Sequence, residues 1–101
     1  MSWADSAIKT LSEGQIAQIR PRGNSMKGKV ESGNLVTIEP VPDLAVLKVD
    51  DIVLVKVKGR VYLHLIKAVD GERFQIGNNK GGINGWTGGS SIYGRATKVE
   101  P

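Results

Sequence analysis

The stretch Asp51-Ile52-Val53-Leu54-Val55-Lys56-Val57-Lys58-Gly59-Arg60-Val61-Tyr62-Leu63-His64-Leu65-Ile66-Lys67-Ala68-Val69 decides the fold. Its two halves, Asp51 to Val57 and Arg60 to Val69, are rich in β-branched and aliphatic residues and read as strands. The two residues between them, Lys58-Gly59, leave room only for a tight turn, which makes the pair an antiparallel hairpin. Asp70-Gly71 forms a second tight turn into Arg73-Phe74-Gln75-Ile76. In the middle strand Val61, Leu63 and Leu65 point one way and Tyr62, His64 and Ile66 the other, so His64 need not occupy the core.

Working outward, Leu35-Val36-Thr37-Ile38-Glu39 reads as a strand, Gln15 to Ile19 as another, and Pro40-Val41-Pro42-Asp43 as a loop. Trp3, Ala7, Ile8 and Leu11 share one face at helical spacing and Gly14 ends the turn, predicting a short amphipathic N-terminal helix whose stripe closes over the core. The fold class expected is mainly β with one short N-terminal helix. At 101 residues the chain makes one small domain, 1–101, and its one Phe, two Tyr and two Trp leave the core to aliphatic residues.

There is no cysteine and only one histidine, which excludes disulfides, thiolate metal sites and multi-histidine metal cages; no metal or cofactor is expected. Met1 to Leu11 lacks the basic start and apolar core of a signal peptide, and no apolar run approaches the ~20 residues that cross a bilayer. A cytoplasmic protein without a membrane partner is expected.

The candidate chemistry lies in Arg20-Pro21-Arg22-Gly23-Asn24-Ser25-Met26. Gly23 adopts backbone conformations closed to other residues and Asn24 tolerates turns, so the Ser25 hydroxyl is thrown clear of the chain. A hydroxyl so presented attacks a carbonyl only when a base takes its proton.

Gly23-Asn24-Ser25-Met26, followed by Ser32-Gly33-Asn34 and the strand from Leu35, then Asp50-Asp51-Ile52-Val53, and finally Ile92-Tyr93-Gly94-Arg95, resembles in order the motif series of the LexA and signal-peptidase superfamily. The resemblance runs from about Arg20 to Val99. It implies that family's β fold and a soluble serine endopeptidase, with a protein or peptide as substrate. His64 falls where the histidine-type signal peptidases carry their base, and the run from Phe74 to Asn79 stands where those proteins read Gly-Asp-Asn. The resemblance therefore implies Ser25 as nucleophile, His64 as base and the backbone N–H groups of Ser25 and Met26 as oxyanion donors. An unperturbed imidazole, titrating at about 6.5, suits that work. Lys27-Gly28 replaces the family's proline, Asn34 and Asn78 stand for aspartates, and Asp50 stands for a glycine. Asp50 and Asp51 are then the nearest acidic candidates for orienting His64.

Asn24, Tyr62 and Trp86 are candidate substrate contacts. The Gly-rich run 77–89 reads as a flexible rim loop, with Ile83 and Trp86 either touching a peptide or pinning the loop. It is not a phosphate loop, lacking the Gly-Lys-Ser/Thr ending. Arg20, Arg22, Lys27 and Lys29 bracket Ser25, a cluster suited to an acidic substrate or a nucleic-acid backbone. The alternative reading is a catalytically inactive peptide- or nucleic-acid-binding module on the same fold, with nucleic acid the weaker partner because aromatics are sparse.

Overall fold

The computed structural model describes residues 3–101. The chain is mainly β: helix α1 (Asp5–Ser12) precedes strands β1 (Ala17–Ile19), β2 (Leu35–Glu39), β3 (Ile52–Val57), β4 (Arg60–Asp70), β5 (Arg73–Gly77), β6 (Ile83–Gly88) and β7 (Ile92–Glu100). The strands form one sheet in the order β1-β2-β7-β3-β4-β5-β6. Every neighbouring pair is antiparallel. Consecutive hairpins lay β3 to β6 side by side, and β7 returns to fill the gap between β3 and β2. The sheet curls until the Thr87 hydroxyl on β6 donates to the Lys56 carbonyl on β3 at 3.1 Å.

The predicted hairpin forms about Lys58 (φ 50°) and Gly59 (φ 83°). Positive φ at both positions is the type I′ geometry that matches strand twist. Asp50, at the position where the resembled family has glycine, also has positive φ, 77°. Aspartate is among the few side chains that tolerate this region. Glycine is required at Gly94 for a different reason. A Cβ there would lie 2.7 Å from Ile38 Cγ2 and 2.8 Å from the Glu39 carbonyl oxygen, so only a bare backbone lets β7 pass against β2.

Aliphatic residues pack on both faces of the sheet. One cluster joins Ala7 and Leu11 of α1 to Val36, Ile38, Leu54, Leu63 and Leu65, with Met26 and Val30 from the long β1–β2 connection. The other, inside the curl, gathers Val53, Val55, Ile66, Phe74, Ile76 and Ile92. The predicted alternation in β4 holds, but its polar-looking face is buried too, and His64 is only 6% exposed. A strand in mid-sheet with packing on both sides has no solvent face to offer.

Three other expectations change. The Gly-rich run is not all loop, since residues 83–88 form edge strand β6. Ile83 and Trp86 are carried on that strand, 53% and 40% exposed. Trp3 precedes α1 and is 54% exposed, leaving Ala4, Ala7 and Leu11 to make the buried stripe. The strand read from Gln15 starts at Ala17, after Gln15 donates its N–H back to the Thr10 carbonyl. No helix among the described residues is long and apolar enough to cross a membrane.

Candidate active site

Ser25 lies in the connection between β1 and β2, where the backbone folds into tight turns: Lys27 N–H donates to the Asn24 carbonyl at 3.1 Å, and Val30 N–H to the Met26 carbonyl at 2.8 Å. Gly23, with φ 112°, makes the entry that L side chains avoid. Met26 is buried and anchors the turn in the core, whereas Ser25 remains exposed. Adjacent residues thus have opposite tasks, one fixing the backbone and one presenting a hydroxyl.

The two ends of the proposed dyad meet. Ser25 Oγ lies 3.1 Å from His64 Nε2, although 39 positions separate them. On the far side of the ring, His64 Nδ1 is 2.6 Å from Asn84 Oδ1. An amide oxygen only accepts, so Nδ1 carries the proton and donates, which leaves the Nε2 lone pair free to accept the Ser25 hydroxyl. The neighbouring Tyr62 ring stacks on the imidazole, centroids 4.8 Å apart and planes 24° from parallel. Hydrogen bond and stack together fix the ring's tautomer and tilt.

Asn84, not Asp50 or Asp51, orients His64. Asp51 instead faces Arg95 at 3.7 Å and accepts the Lys48 N–H at 3.0 Å, while the Asp50 N–H donates to the Ile66 carbonyl at 2.8 Å. Asn84 reaches the ring because it is one residue too many for the ladder: Ile76 pairs with Gly85 and Gly77 with Ile83, leaving Asn84 unopposed. Such a bulge re-aims a side chain. The trace in the sequence is Asn84-Gly85, a pair suited to an irregular strand, with Gly85 at φ 137°.

The same segment also steadies the Ser25 turn. Asn79 N–H donates to the Ser25 carbonyl at 2.9 Å, and its side-chain amide to the Lys27 carbonyl at 2.8 Å. Asn78 Oδ1 shapes the loop by accepting the Lys80 and Gly82 N–H groups, each at 2.8 Å. Asn34 Oδ1 accepts the Glu31 N–H at 2.8 Å. Among the described residues neither the Ser25 nor the Met26 backbone N–H donates a hydrogen bond.

Ser25 and His64 open on a cleft of about 350 Å³, walled by Arg22, Gly23, Met26, Val30 and Glu31 on one side and Val61 to Leu63 on the other, with Trp3 also on its lining. Tyr62 therefore belongs to the site. Asn24 is exposed beside it and forms the turn through its carbonyl. Trp86 does not line the cleft; it sits on β6 opposite Gln75. No group of three His, Cys, Asp or Glu side chains among the described residues is placed to hold a metal ion. No family model matches the chain, and no curated protein matches it.

Burial holds the His64 pKa below its ordinary 6.5; the Lys67 ammonium acts in the same direction and the Asn84 hydrogen bond opposes both. The imidazole is thus neutral at physiological pH, the form that accepts a proton. This has a consequence for stability. Between the depressed folded value and the unfolded one the unfolded state binds more protons, so the contribution is complete above about pH 6.5 and is lost as pH falls through the folded value. Thermal melts between about pH 7.5 and 5 are expected to decline less steeply for His64→Gln than for the wild type. Parallel declines show that His64 does not carry this effect.

Proposed function

We propose that this chain is a serine endopeptidase-like hydrolase of the LexA and signal-peptidase superfamily, with Ser25 as nucleophile, His64 as general base and Asn84 as the group orienting the base. The observation that carries the proposal is the continuous chain Ser25 Oγ to His64 Nε2, 3.1 Å, and His64 Nδ1 to Asn84 Oδ1, 2.6 Å. Nucleophile, base and orienting group in hydrogen-bond contact are the arrangement acyl transfer requires, and an amide serves in the third place in other hydrolases.

In the proposed reaction, Ser25 Oγ attacks the carbonyl carbon of a peptide bond as its proton passes to His64 Nε2. The free N–H groups of Ser25 and Met26 stabilise the oxyanion. His64 then gives the proton to the leaving amine, and water, deprotonated by the same nitrogen, releases the acyl group.

The sheet offers a place for the substrate. In a two-residue hairpin the pair flanking the turn, Val57 and Arg60, exchanges both hydrogen bonds, and bonded pairs then alternate. Tyr62 and His64 accordingly bond to β3, while Val61 and Leu63 turn their N–H and C=O groups the other way. On that side β5 pairs with β4 only from Leu65 onward, and Val61 and Leu63 line the cleft. An extended peptide fits this open edge by strand addition.

The test is covalent labelling with an uncharged fluorophosphonate, read by intact mass. One adduct on Ser25 is expected, absent from Ser25→Ala, with a rate that rises with pH about a midpoint below 6.5. A folded wild-type chain that remains unlabelled at millimolar probe removes the hydrolase reading and leaves the binding module.

A further inference from the structure

We propose that the cleft selects an acidic peptide, bound extended along the open edge of β4, an inference that rests on reading the Ser25 cleft as a peptide site.

The charge distribution carries it. Residues 20–34, which present Ser25, include four cations, Arg20, Arg22, Lys27 and Lys29, and a single acid, Glu31. All five side chains are exposed. Glu31, the one acid on the cleft lining, accepts the Gly28 N–H through Oε2 at 2.8 Å. Arg20 binds the Gly33 carbonyl at 2.9 Å, but none of the four cations pairs with a carboxylate among the described residues. Arg22 lines the cleft itself. The segment that presents Ser25 thus carries a net charge of +3 in a chain of net charge +4, with Arg22 and Glu31 on the cleft lining and Arg20, Lys27 and Lys29 on the surface beyond it.

Strand β4 adds another cation just beyond the cleft lining. Alternation along β4 places Arg60 on the same side as Tyr62 and His64, and Arg60 is exposed. At about 3.4 Å per residue, Arg60 stands roughly 14 Å along the strand from His64. A peptide lying in register on Val61 and Leu63, with its scissile carbonyl at Ser25, thus brings a side chain about four residues from the cut to Arg60. Arg22 stands nearer the serine, on the opposite wall. An excess of positive charge around a concave site concentrates counter-charged ligands and repels cationic ones.

A peptide fits these cations better than a nucleic acid. The open edge supplies two residues' worth of strand hydrogen bonds, which a peptide backbone satisfies, and the rings on the cleft lining are Tyr62, already stacked on His64, Trp3, and His64 itself. Binding of single strands depends on free aromatic platforms for successive bases.

Binding is measured by fluorescence anisotropy on Ser25→Ala, so that turnover does not enter. Three dye-labelled peptides share the core Val-Ala-Leu and carry Glu, Gln or Lys at the flanking positions. The Glu peptide is expected to bind about tenfold more tightly than the Lys peptide at about 50 mM NaCl, with the preference shrinking several-fold by about 300 mM. Arg22→Glu and Arg60→Glu are each expected to weaken the Glu peptide about two- to fivefold, and the double variant to erase or reverse the order. Lys9→Glu, the same charge change on exposed helix α1, is the control and leaves the order unchanged.

Equal binding of the three peptides overturns the proposal, as does a preference that survives both arginine reversals. An oligothymidylate that binds more tightly than the Glu peptide and displaces it overturns it in favour of nucleic acid. Failure of the peptidase reading is seen separately, in absent labelling of Ser25 by the uncharged probe.

Discussion

His64→Ala is expected to slow acylation of Ser25 by about 10²- to 10⁴-fold, the range spanned by general-base catalysis. The serine hydroxyl lies 3.1 Å from Nε2, and no other titratable side chain has a hydrogen bond to it among the described residues. Because His64 is 6% exposed, alanine opens a cavity, and His64→Gln serves as a companion that keeps most of the volume. Both variants are expected to lose labelling while retaining the far-ultraviolet spectrum of the fold. The rival bases are Lys56, Lys58 and Lys67. Lys67 depresses the His64 pKa through its charge, so Lys67→Met is expected to move the pH profile to higher pH without abolishing labelling. Asn84→Asp moves it the same way and further, since a carboxylate stabilises the imidazolium that an amide does not. Retained labelling in His64→Ala together with loss in a lysine variant assigns the base to that lysine.

The second large effect concerns stability. Phe74, the chain's one phenylalanine, is 2% exposed in the cluster inside the curl of the sheet. Phe74→Ala is expected to cost about 3–5 kcal/mol, against a total of roughly 5–15 kcal/mol for a domain of this kind. The rest of the cluster is aliphatic apart from the partly buried Tyr62, whose ring is already stacked on His64. Val69, its Cα partner across β4 and β5, is 42% exposed, and Val69→Ala is expected to fall within about 0.5 kcal/mol of wild type. Urea unfolding midpoints check both. Equal midpoints for the two variants would mean that the second cluster is not a core.

Much of the fold was legible because its signals are local. The hairpin about Lys58-Gly59, the strand Leu35–Glu39 and the turn ahead of Arg73 each follow from strand-forming residues bounded by turn residues. The meeting of Ser25 and His64 was legible only through the ordered motif series, since nothing in the residues themselves specifies a contact across 39 positions. Three features lay outside that reach. The burial of His64 depends on the sheet being packed on both faces, which the alternation of a single strand does not reveal. The edge strand Ile83–Gly88 is masked by its glycines, which lower strand propensity where pairing with β5 overrides it. Asn84 lay beyond it because an amide carries no charge to mark it in the sequence, and because a bulge is a property of two paired strands.

That bulge also makes the site answerable to the length of the chain as well as to its lettering. Asn84 faces the imidazole because β6 holds one residue more than β5 can pair with between Ile83 and Gly85. Removing a residue beside it restores a regular ladder and carries the amide away from the ring with serine, histidine and asparagine all still present. On the proposed function, an insertion or deletion in this short edge strand is thus a route by which hydrolysis would give way to simple binding in a single genetic event. Comparison of related chains by residue identity alone does not register that change; counting the residues between Gly77 and Gly85 does.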